Sequence, residues 1–277
     1  MSYYTTKAIY PWLYSIYDPQ SVFCYLIVGE KAALLYDTAY GIAPLHPVVR
    51  EITPLPYQVL LSHGHIDHVN GAYQFDEVLI HPADHELCLR HACKTARSKI
   101  VDNLKLPHNP TENTLNEPLP LDMVSPIDGL ENFDPDQFIT AGPGNLKMLA
   151  EGQTFDLGGL TVEVVPMEGH TPGSVGLLIK EHKVLLDSDA ANYHMWMFLN
   201  ESLSMDTYIN MLKRVKGLDF DTFFVGHSDQ PRPKADFDKY IAVAEGVNVE
   251  ASTPYPAMAE LGGRLYKQDD VEIIFKP

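Results

Sequence analysis

The stretch "LSHGHIDHVN" at residues 61–70 carries three histidines and one aspartate within six positions. It continues the apolar run "YQVLL" (57–61), which is typical of a buried strand. Histidine and aspartate suit zinc or a similar divalent ion. In an extended backbone His63 and His65 point to the same side and can reach one ion, while Asp67 and His68 can turn to a second. The stretch therefore predicts a metal-binding loop at the edge of a sheet, open to water and substrate, rather than a patch of surface histidines.

Four ligands in one loop cannot complete the coordination of two ions, so further ligands are expected elsewhere in the chain. His170 lies in "EGHTPGS", Asp189 in "KVLLDSDA" and His227 in "FFVGHSD". Each follows an apolar run at the point where Gly, Pro or Ser begins a turn. A single histidine in such a place is more often structural. The recurrence of the same local context favours a ligand role for all three.

Composition narrows the class of protein. The 277 residues, 45% of them hydrophobic, provide ample material for a core, in one large domain or two small ones. No apolar run reaches the roughly 18 residues of a membrane helix, and the first residues do not resemble a signal peptide. Cys24, Cys88 and Cys93 show no paired spacing, which predicts free thiols in a cytoplasmic protein.

The net charge limits the kinds of partner that the sequence predicts. A net charge of −17 argues against general nucleic-acid binding, but a local metal site can still attract a small anionic substrate. The basic stretch "RHACKTARSK" (90–99) is interleaved with apolar residues. It is predicted to be a partly solvated helix face. The expected partner is a small molecule, with no nucleic acid and no membrane, and a homo-oligomer is left open.

Apolar runs predict strands in groups with helices between them. The strand-like segments are 23–29, 32–41, 57–63, 77–82, 154–179, 182–190, 221–228 and 271–277, and helices are predicted at 43–52, 82–104, 206–216 and 234–247. This order predicts two sheets with outer helices.

Residues 105–150 are different, because Pro, Asn, Asp and Gly are frequent there. Long loops of this kind are usually functional or flexible. We predict a single domain over 1–277 with an insertion at about 82–150. Part of 100–150 is predicted to cover the metal cleft and supply substrate contacts; the alternative is a solvent-facing loop remote from the site.

The motifs, taken in order, carry a family resemblance. "HGHIDH", "GHTPGS", "LLDSDA" and "VGH", with "YLIVGEKAALLYDTAYG" upstream, resemble the metallo-β-lactamase superfamily of metal hydrolases over residues of about 10 to 230. The resemblance implies an α+β fold, an αββα four-layer sandwich with a dinuclear site at one edge of the paired sheets. It implies two ligand sets bridged by Asp189, namely His63, His65 and His170 for one metal and Asp67, His68 and His227 for the other.

The same comparison bears on the surrounding residues. Asp37, in "YDTAYG", matches the acidic position that supports the ligands in the family. The family usually has glycine in the first motif where this chain has Ala39, and glycine where Ser188 stands. These departures leave every ligand in place and concern loop geometry. Asp189 is preferred over Asp187 as the bridge because it lies further past its apolar run, and Asp187 is predicted to have a local hydrogen-bonding role.

The ligands imply the chemistry. Two divalent ions side by side generate a hydroxide at neutral pH and polarise the group under attack. The predicted function is hydrolysis of an ester, thioester, lactone or phosphodiester by a metal-bridging hydroxide. Zinc is the predicted metal, and iron or manganese suit the same ligands. Asp67 is predicted to take a proton during the cycle. Tyr193 is predicted to donate a hydrogen bond to a leaving oxygen, and "ANYHMWMF" is alternatively an aromatic packing segment.

Two other functions fit the same fold. A mononuclear iron enzyme would use His63, His170 and Asp189 to oxidise sulfur, as other members of the superfamily do. A non-catalytic binding module would keep the fold without the chemistry. The complete ligand set argues against both, and the metal content per chain distinguishes the three.

Overall fold

The structure is a computed structural model that describes residues 3–104, 130, 133–150 and 152–277. Its contacts divide the chain into two compact units. One comprises residues 1–150 and 156–160, and the other comprises residues 151–155 and 161–277. The single domain over 1–277 stays a prediction.

The first unit contains a seven-stranded sheet whose spatial order equals its order in the chain. Its strands are β1 (Thr5–Tyr10), β2 (Leu13–Tyr17), β3 (Phe23–Val28), β4 (Ala33–Tyr36), β5 (Tyr57–Leu60), β6 (Val78–Ile80) and β7 (Leu146–Met148). β1 to β4 are antiparallel, whereas β4 to β7 run parallel. β3 and β4 are buried over almost their whole length. Continuous apolar runs of this kind are expected where both faces of a sheet are covered.

The helices of the first unit lie between its parallel strands in the chain. They are α1 (Leu45–Ile52), α2 (Ile66–Val69), α3 (His85–His91), α4 (Lys94–Leu104) and α5 (Pro135–Thr140). α1 buries Leu45, Val48 and Val49, which recur at the spacing of one helix face. Asp134 caps the start of α5, because its carboxylate accepts hydrogen bonds from two backbone amides of the first turn.

The second unit contains a six-stranded and a four-stranded sheet. The first has the order β14-β13-β11-β10-β9-β8, with β8 at Thr154–Asp156, β9 at Thr161–Pro166, β10 at Val175–Ile179, β11 at Val184–Ser188, β13 at Thr222–Val225 and β14 at Ser228–Pro233. The second has the order β12-β17-β16-β15, with β12 at His194–Met197, β15 at Thr253–Pro254, β16 at Arg264–Gln268 and β17 at Val271–Phe275. The helices are α6 (Met205–Lys216) and α7 (Asp236–Gly246).

The predicted strand segments are confirmed: β3, β4, β5, β6, β8, β9, β10, β11, β13 and β17 all lie in them. The sequence did not predict β1, β2, β7, β12, β14, β15 or β16. β14, with the sequence "SDQPRP", shows why: it is a polar edge strand with two prolines, which apolar periodicity cannot detect.

The predicted helices are confirmed at 43–52, 206–216 and 234–247, but the segment 82–104 is not one helix. It forms a short 3₁₀ turn, then α3, then α4, with a break at Ala92 and Cys93. The interpretation of residues 90–99 as a partly solvated helix face is wrong at Arg97. This side chain is fully buried and counts among the largest buried groups of the described residues.

The described part of the predicted insertion contains regular structure. α5 and β7 lie within 133–150, and β7 completes the edge of the first sheet beside β6, so this part of the segment belongs to the core fold of its unit. The predicted cover of the metal cleft falls largely on residues 105–129, which lie outside the described residues. It stays a prediction.

Candidate metal centre

Three neighbouring parallel strands of the first unit end at the same edge of the sheet. β4 leads into Asp37, β5 into the loop with His63 and His65, and β6 into Asp84. Parallel strands bring the residues after their carboxyl ends together, and ligand sites of α/β sheets lie at such ends. The predicted metal-binding loop is therefore flanked on both sides by a carboxylate from a neighbouring strand.

The loop gathers its ligand side chains. The ring centroid of His63 lies 4.7 Å from that of His65 and 4.3 Å from that of His68. Ligand atoms of His63 and His65 lie within 4.8 Å of one another, and so do those of Asp67 and His68. His65 ends the extended part and precedes α2, so Asp67 and His68 fall on the first helical turn. The switch from strand to helix explains how one short stretch presents two pairs of ligands.

Asp37 fixes one of these histidines. One carboxylate oxygen accepts a hydrogen bond from the backbone amide of Ser62 (2.7 Å), and the other accepts one from Nδ1 of His68 (2.9 Å). A carboxylate beside a buried imidazole assigns the proton to Nδ1, which leaves Nε2 as the ligand nitrogen. Asp37 is buried, and its position behind the ligand is the one implied by the family resemblance.

Two further residues around the loop were not predicted from the sequence. The carboxylate of Asp84 is buried and accepts a hydrogen bond from the backbone amide of Gly64 (2.8 Å). The ring of His91, at the end of α3, stacks on the ring of His65 with centroids 5.3 Å apart and an interplanar angle of 24°. Asp84 could have been found, because it follows an apolar run as the predicted ligands do. His91 lies on a helix, where no comparable pattern exists.

In the second unit the predicted ligands also follow strands, but each follows a different one. His170 comes after β9, Asp189 directly after β11, and His227 after β13. β11 and β13 are parallel, and β9 runs in the same direction because two antiparallel pairings separate it from β11. All three ligands therefore emerge at one edge of the six-stranded sheet. Nε2 of His227 lies 3.3 Å from Oδ2 of Asp189, and Nε2 of His170 lies 4.0 Å from the same oxygen.

His170 is held by its surroundings. Its Nδ1 donates a hydrogen bond to the backbone carbonyl of Trp196 (2.7 Å), which leaves Nε2 as the ligand nitrogen. The hydroxyl of Ser202 donates to the carbonyl of His170 (3.1 Å). Gly169 has a φ of +157°, and a Cβ there would lie 2.4 Å from the ring of Tyr208. Glycine is therefore required immediately before this ligand.

The two aspartates after β11 have different environments. The side chain of Asp189 is 16% exposed and lies with His227 and His170, as expected of a ligand. Asp187 is fully buried, and neither of its oxygens has a hydrogen-bond partner among the described residues. Burial first, and then the charge of Asp189, raise the pKa of Asp187 well above its ordinary value. The local hydrogen-bonding role predicted for Asp187 is therefore not observed in this part of the chain.

Tyr193 lies between Asp189 and β12. The guanidinium carbon of Arg232 lies 4.8 Å from the centroid of the Tyr193 ring, and the backbone carbonyl of Tyr193 accepts a hydrogen bond from the backbone amide of Glu272 (2.7 Å). The adjacent residues "HMWM" form β12, which pairs with β17. The packing alternative thus holds for the segment after Tyr193, and a catalytic role for Tyr193 itself stays a prediction.

Both departures from the family pattern are left-handed residues. Ala39 has a φ of 52° and Ser188 a φ of 53°, a region that favours glycine. Asp37 is also left-handed, with a φ of 71°. The loops therefore keep the geometry that glycine would adopt and hold it with residues that have a Cβ.

The donor groups described above suit a divalent metal ion. They are imidazole nitrogens and carboxylate oxygens, and the Nδ1 hydrogen bonds of His68 and His170 leave Nε2 of each ring to act as ligand. The sets within each unit fit the ligand pattern predicted from the sequence.

Comparison with known proteins agrees with this pattern. The family model of the metallo-beta-lactamase superfamily matches residues 17–227. The chain belongs to this superfamily. The predicted family and α+β fold class are thus confirmed.

Individual relatives are distant. The acyl-coenzyme A thioesterase MBLAC2 of Gallus gallus is 25% identical over 174 residues, which are 60% of this chain and 56% of that protein. The chain thus spans little more than half the length of this curated relative. The sec-alkylsulfatase Pisa1 from Pseudomonas sp. has a TM-score of 0.60 at 16% identity, over 87% of this chain and 41% of that one. A metallo-beta-lactamase family protein from Thermus thermophilus has a TM-score of 0.56 at 17% identity, over 98% of this chain and 100% of that one. At such identities the structural matches establish the fold alone.

Within residues 3–104, 130, 133–150 and 152–277, no helix combines the length and apolar character needed to cross a bilayer.

Proposed function

We propose that this protein is a dinuclear metal-dependent hydrolase. The observation that supports it best is that each unit gathers its predicted ligands at the carboxyl ends of its strands, with Nδ1 of His68 and of His170 hydrogen-bonded to acceptors. Following the motif order of the family, His63, His65 and His170 would hold one ion, Asp67, His68 and His227 would hold the other, and Asp189 would be a ligand of both. Zinc is the proposed metal, because it accepts nitrogen and oxygen ligands of this kind.

The bond we propose for cleavage is a thioester of a small molecule. The curated relatives are named acyl-coenzyme A thioesterases, although the identity of 25% to 28% and the partial coverage make the substrate a proposal. Thioesters were among the four bond types predicted from the sequence, and the ligand set has no cysteine. The proposed location is the cytoplasm, in line with the free thiols of Cys24, Cys88 and Cys93.

The protein's side chains have distinct roles in this reaction. Two bound divalent ions would activate a water molecule and polarise the acyl carbonyl. Asp37 and the carbonyl of Trp196 keep the proton of His68 and of His170 on Nδ1, so that both rings bind through Nε2. The Asp67 carboxylate, 17% exposed and 3.4 Å from Nε2 of His68, accepts a proton during the cycle. Tyr193 donates a hydrogen bond to the leaving group.

An iron oxygenase of the same fold would need only three of these ligands. Such a site consists of two histidines and one carboxylate on a single ion. Asp67 and His68 form a second pair in the first unit, and His227 lies beside Asp189 in the second. A mononuclear enzyme has no use for these residues as ligands, so the dinuclear hydrolase is preferred.

Metal analysis and a substrate screen test the proposal. The purified protein should contain two divalent ions per chain, and His65→Ala and His227→Ala should each lose metal. The zinc-, manganese- and iron-loaded forms are assayed against thioesters, lactones, phosphodiesters and β-lactams. Thioesters should be cleaved fastest. One iron per chain together with sulfur oxidation would support the oxygenase instead, and no metal would leave a binding module.

A further inference from the structure

Arg97, on α4, is a buried cation held by neutral groups. Its guanidinium donates hydrogen bonds to four backbone carbonyls, those of Ala92 (3.2 Å), Phe138 (3.3 Å), Asn70 (2.9 Å) and Gly142 (2.8 Å). Its Cζ also lies 4.7 Å from the ring centroid of Tyr73 and 4.7 Å from that of Phe138. Burial lowers the pKa of Arg97 to about 10, so the group stays charged at neutral pH.

One of these carbonyls lies two residues after the ligand segment 63–68. Asn70 directly follows α2, the short helix that carries Asp67 and His68. While its carbonyl accepts from Arg97, its side-chain amide donates to the carbonyls of Ile66 (2.7 Å) and His91 (3.3 Å). Asn70 is buried. It thus connects the start of α2, the end of α3 and the guanidinium on α4.

The last residue of α3 contacts one of the predicted ligands directly. The imidazole of His91, whose carbonyl is bound by Asn70, stacks on the His65 ring with centroids 5.3 Å apart. Offset stacking between planar rings restricts how one can rotate against the other. The orientation of His65 thus depends on where α3 ends.

We propose that His91, Asn70 and Arg97 are positioning residues that hold the ligand segment 63–68 in its binding geometry, with the His91 ring as a support for His65. The proposal rests on the metal site proposed above. It gives the helices of the inserted segment a role that the sequence did not suggest: they support the ligand loop in addition to the contacts that Asp37 makes with it.

The guanidinium suits this task better than other cations. It is planar, has five donors in a fixed arrangement and stacks on aromatic faces. A lysine ammonium at the same place could neither reach four separate carbonyls nor lie flat between Tyr73 and Phe138. Arg97→Lys therefore keeps the charge and removes the geometry.

The test separates the loss of the ring contact at His65 from a general loss of protein stability. His91→Ala removes the stacked ring, His91→Phe keeps a ring without nitrogens, and Arg97→Lys alters the anchor. Val243→Ala, in the core of α7, is a matched control that lowers stability elsewhere. The zinc dissociation constant is measured by competition with a chromophoric chelator. His91→Ala and Arg97→Lys should each raise it about tenfold, within the range for groups that support metal ligands. His91→Phe should stay within about threefold of the wild type and Val243→Ala should not change it.

A second measurement does not need the metal. Long-range ¹H–¹⁵N spectra of the histidine rings are recorded on metal-free protein. The His65 signals should shift in His91→Ala and Arg97→Lys, and should be unchanged in Val243→Ala. If the wild type binds no zinc, the proposed function fails while these spectra still decide the positioning role. If His91→Ala changes neither the His65 signals nor the zinc affinity, the positioning role is wrong. It is also wrong if His91→Phe binds zinc as weakly as His91→Ala does.

Discussion

The ligands of residues 63–68 come from a single loop, whereas His170, Asp189 and His227 each follow a different strand. The loop is supported by side chains: Asp37 and Asp84, which follow the adjacent strands, accept hydrogen bonds from its backbone amides. The second set is supported mainly through the backbone, by the carbonyl of Trp196 on His170 and by the left-handed residue Ser188 before Asp189.

This difference indicates how each set tolerates change. A loop supported by carboxylates should respond to the loss of a negative charge or an acceptor. A set supported by backbone geometry should respond to the ligands themselves and to changes in conformational preference. The following substitutions separate the two cases.

The largest effect is expected at the two aspartates after β11. Asp189→Asn removes the charge that compensates two cations in the proposed centre, so it should lose at least one metal and reduce activity more than about a hundredfold, beyond the range for groups behind the ligands. Asp187→Asn is the matched control, because Asp187 is buried, its pKa is raised and amide and acid have the same shape. Metal analysis and steady-state kinetics on both variants decide. Full metal in Asp189→Asn with loss in Asp187→Asn would move the bridge by two residues.

An intermediate effect is expected at Asp37. Asn tolerates the left-handed backbone found there, so Asp37→Asn should fold. It can accept from only one of its two partners, the Ser62 amide or Nδ1 of His68, and it places a donor against the other. The zinc dissociation constant should rise about 10- to 100-fold.

Asp84→Asn provides the contrast for that measurement. One oxygen of Asp84 accepts from the Gly64 amide, and an asparagine carbonyl can take its place. Its effect on zinc affinity should therefore be several times smaller, as measured in the same competition titration. Equal losses in both variants would mean that negative charge near the loop, and not the assignment of the His68 proton, is what matters.

The two sets also differ in how far the sequence predicts them. Four ligand-type residues within six positions can be recognised from the sequence alone, because chance rarely produces such a cluster. His170, Asp189 and His227 are recognisable only because each ends an apolar run in a similar turn. Arg97 and His91 escaped prediction for a physical reason: they lie on helices, and their partners are backbone carbonyls and rings distant in sequence. A basic stretch looks the same whether its arginine is solvated or buried.

Fold prediction has the same limit. Strands buried on both faces are continuous apolar runs and were found, whereas the edge strand β14 and the short β15 have no such pattern. β7 lies in a segment whose Pro and Gly content indicates a loop, and it becomes a strand only because β6 offers an edge with which it pairs.

The smallest effect is expected where the chain departs from the family's glycines. Ala39, fully buried with a φ of 52°, bears a left-handed strain of about 1–2 kcal/mol that glycine would relieve. Two effects oppose this gain. The greater flexibility of glycine in the unfolded chain lowers the free energy of unfolding by about 0.5–1 kcal/mol, and the loss of a buried methyl group lowers it by about 0.8 kcal/mol. Ala39→Gly should therefore change the free energy of unfolding by less than about 1 kcal/mol. Ala191→Gly is equally buried but not left-handed, so nothing offsets its losses, and it should destabilise by about 1–2 kcal/mol. Urea unfolding of both variants measures the difference. If Ala39→Gly is as destabilising as Ala191→Gly, the backbone at Ala39 is not strained, and alanine in place of the family's glycine stabilises the protein there.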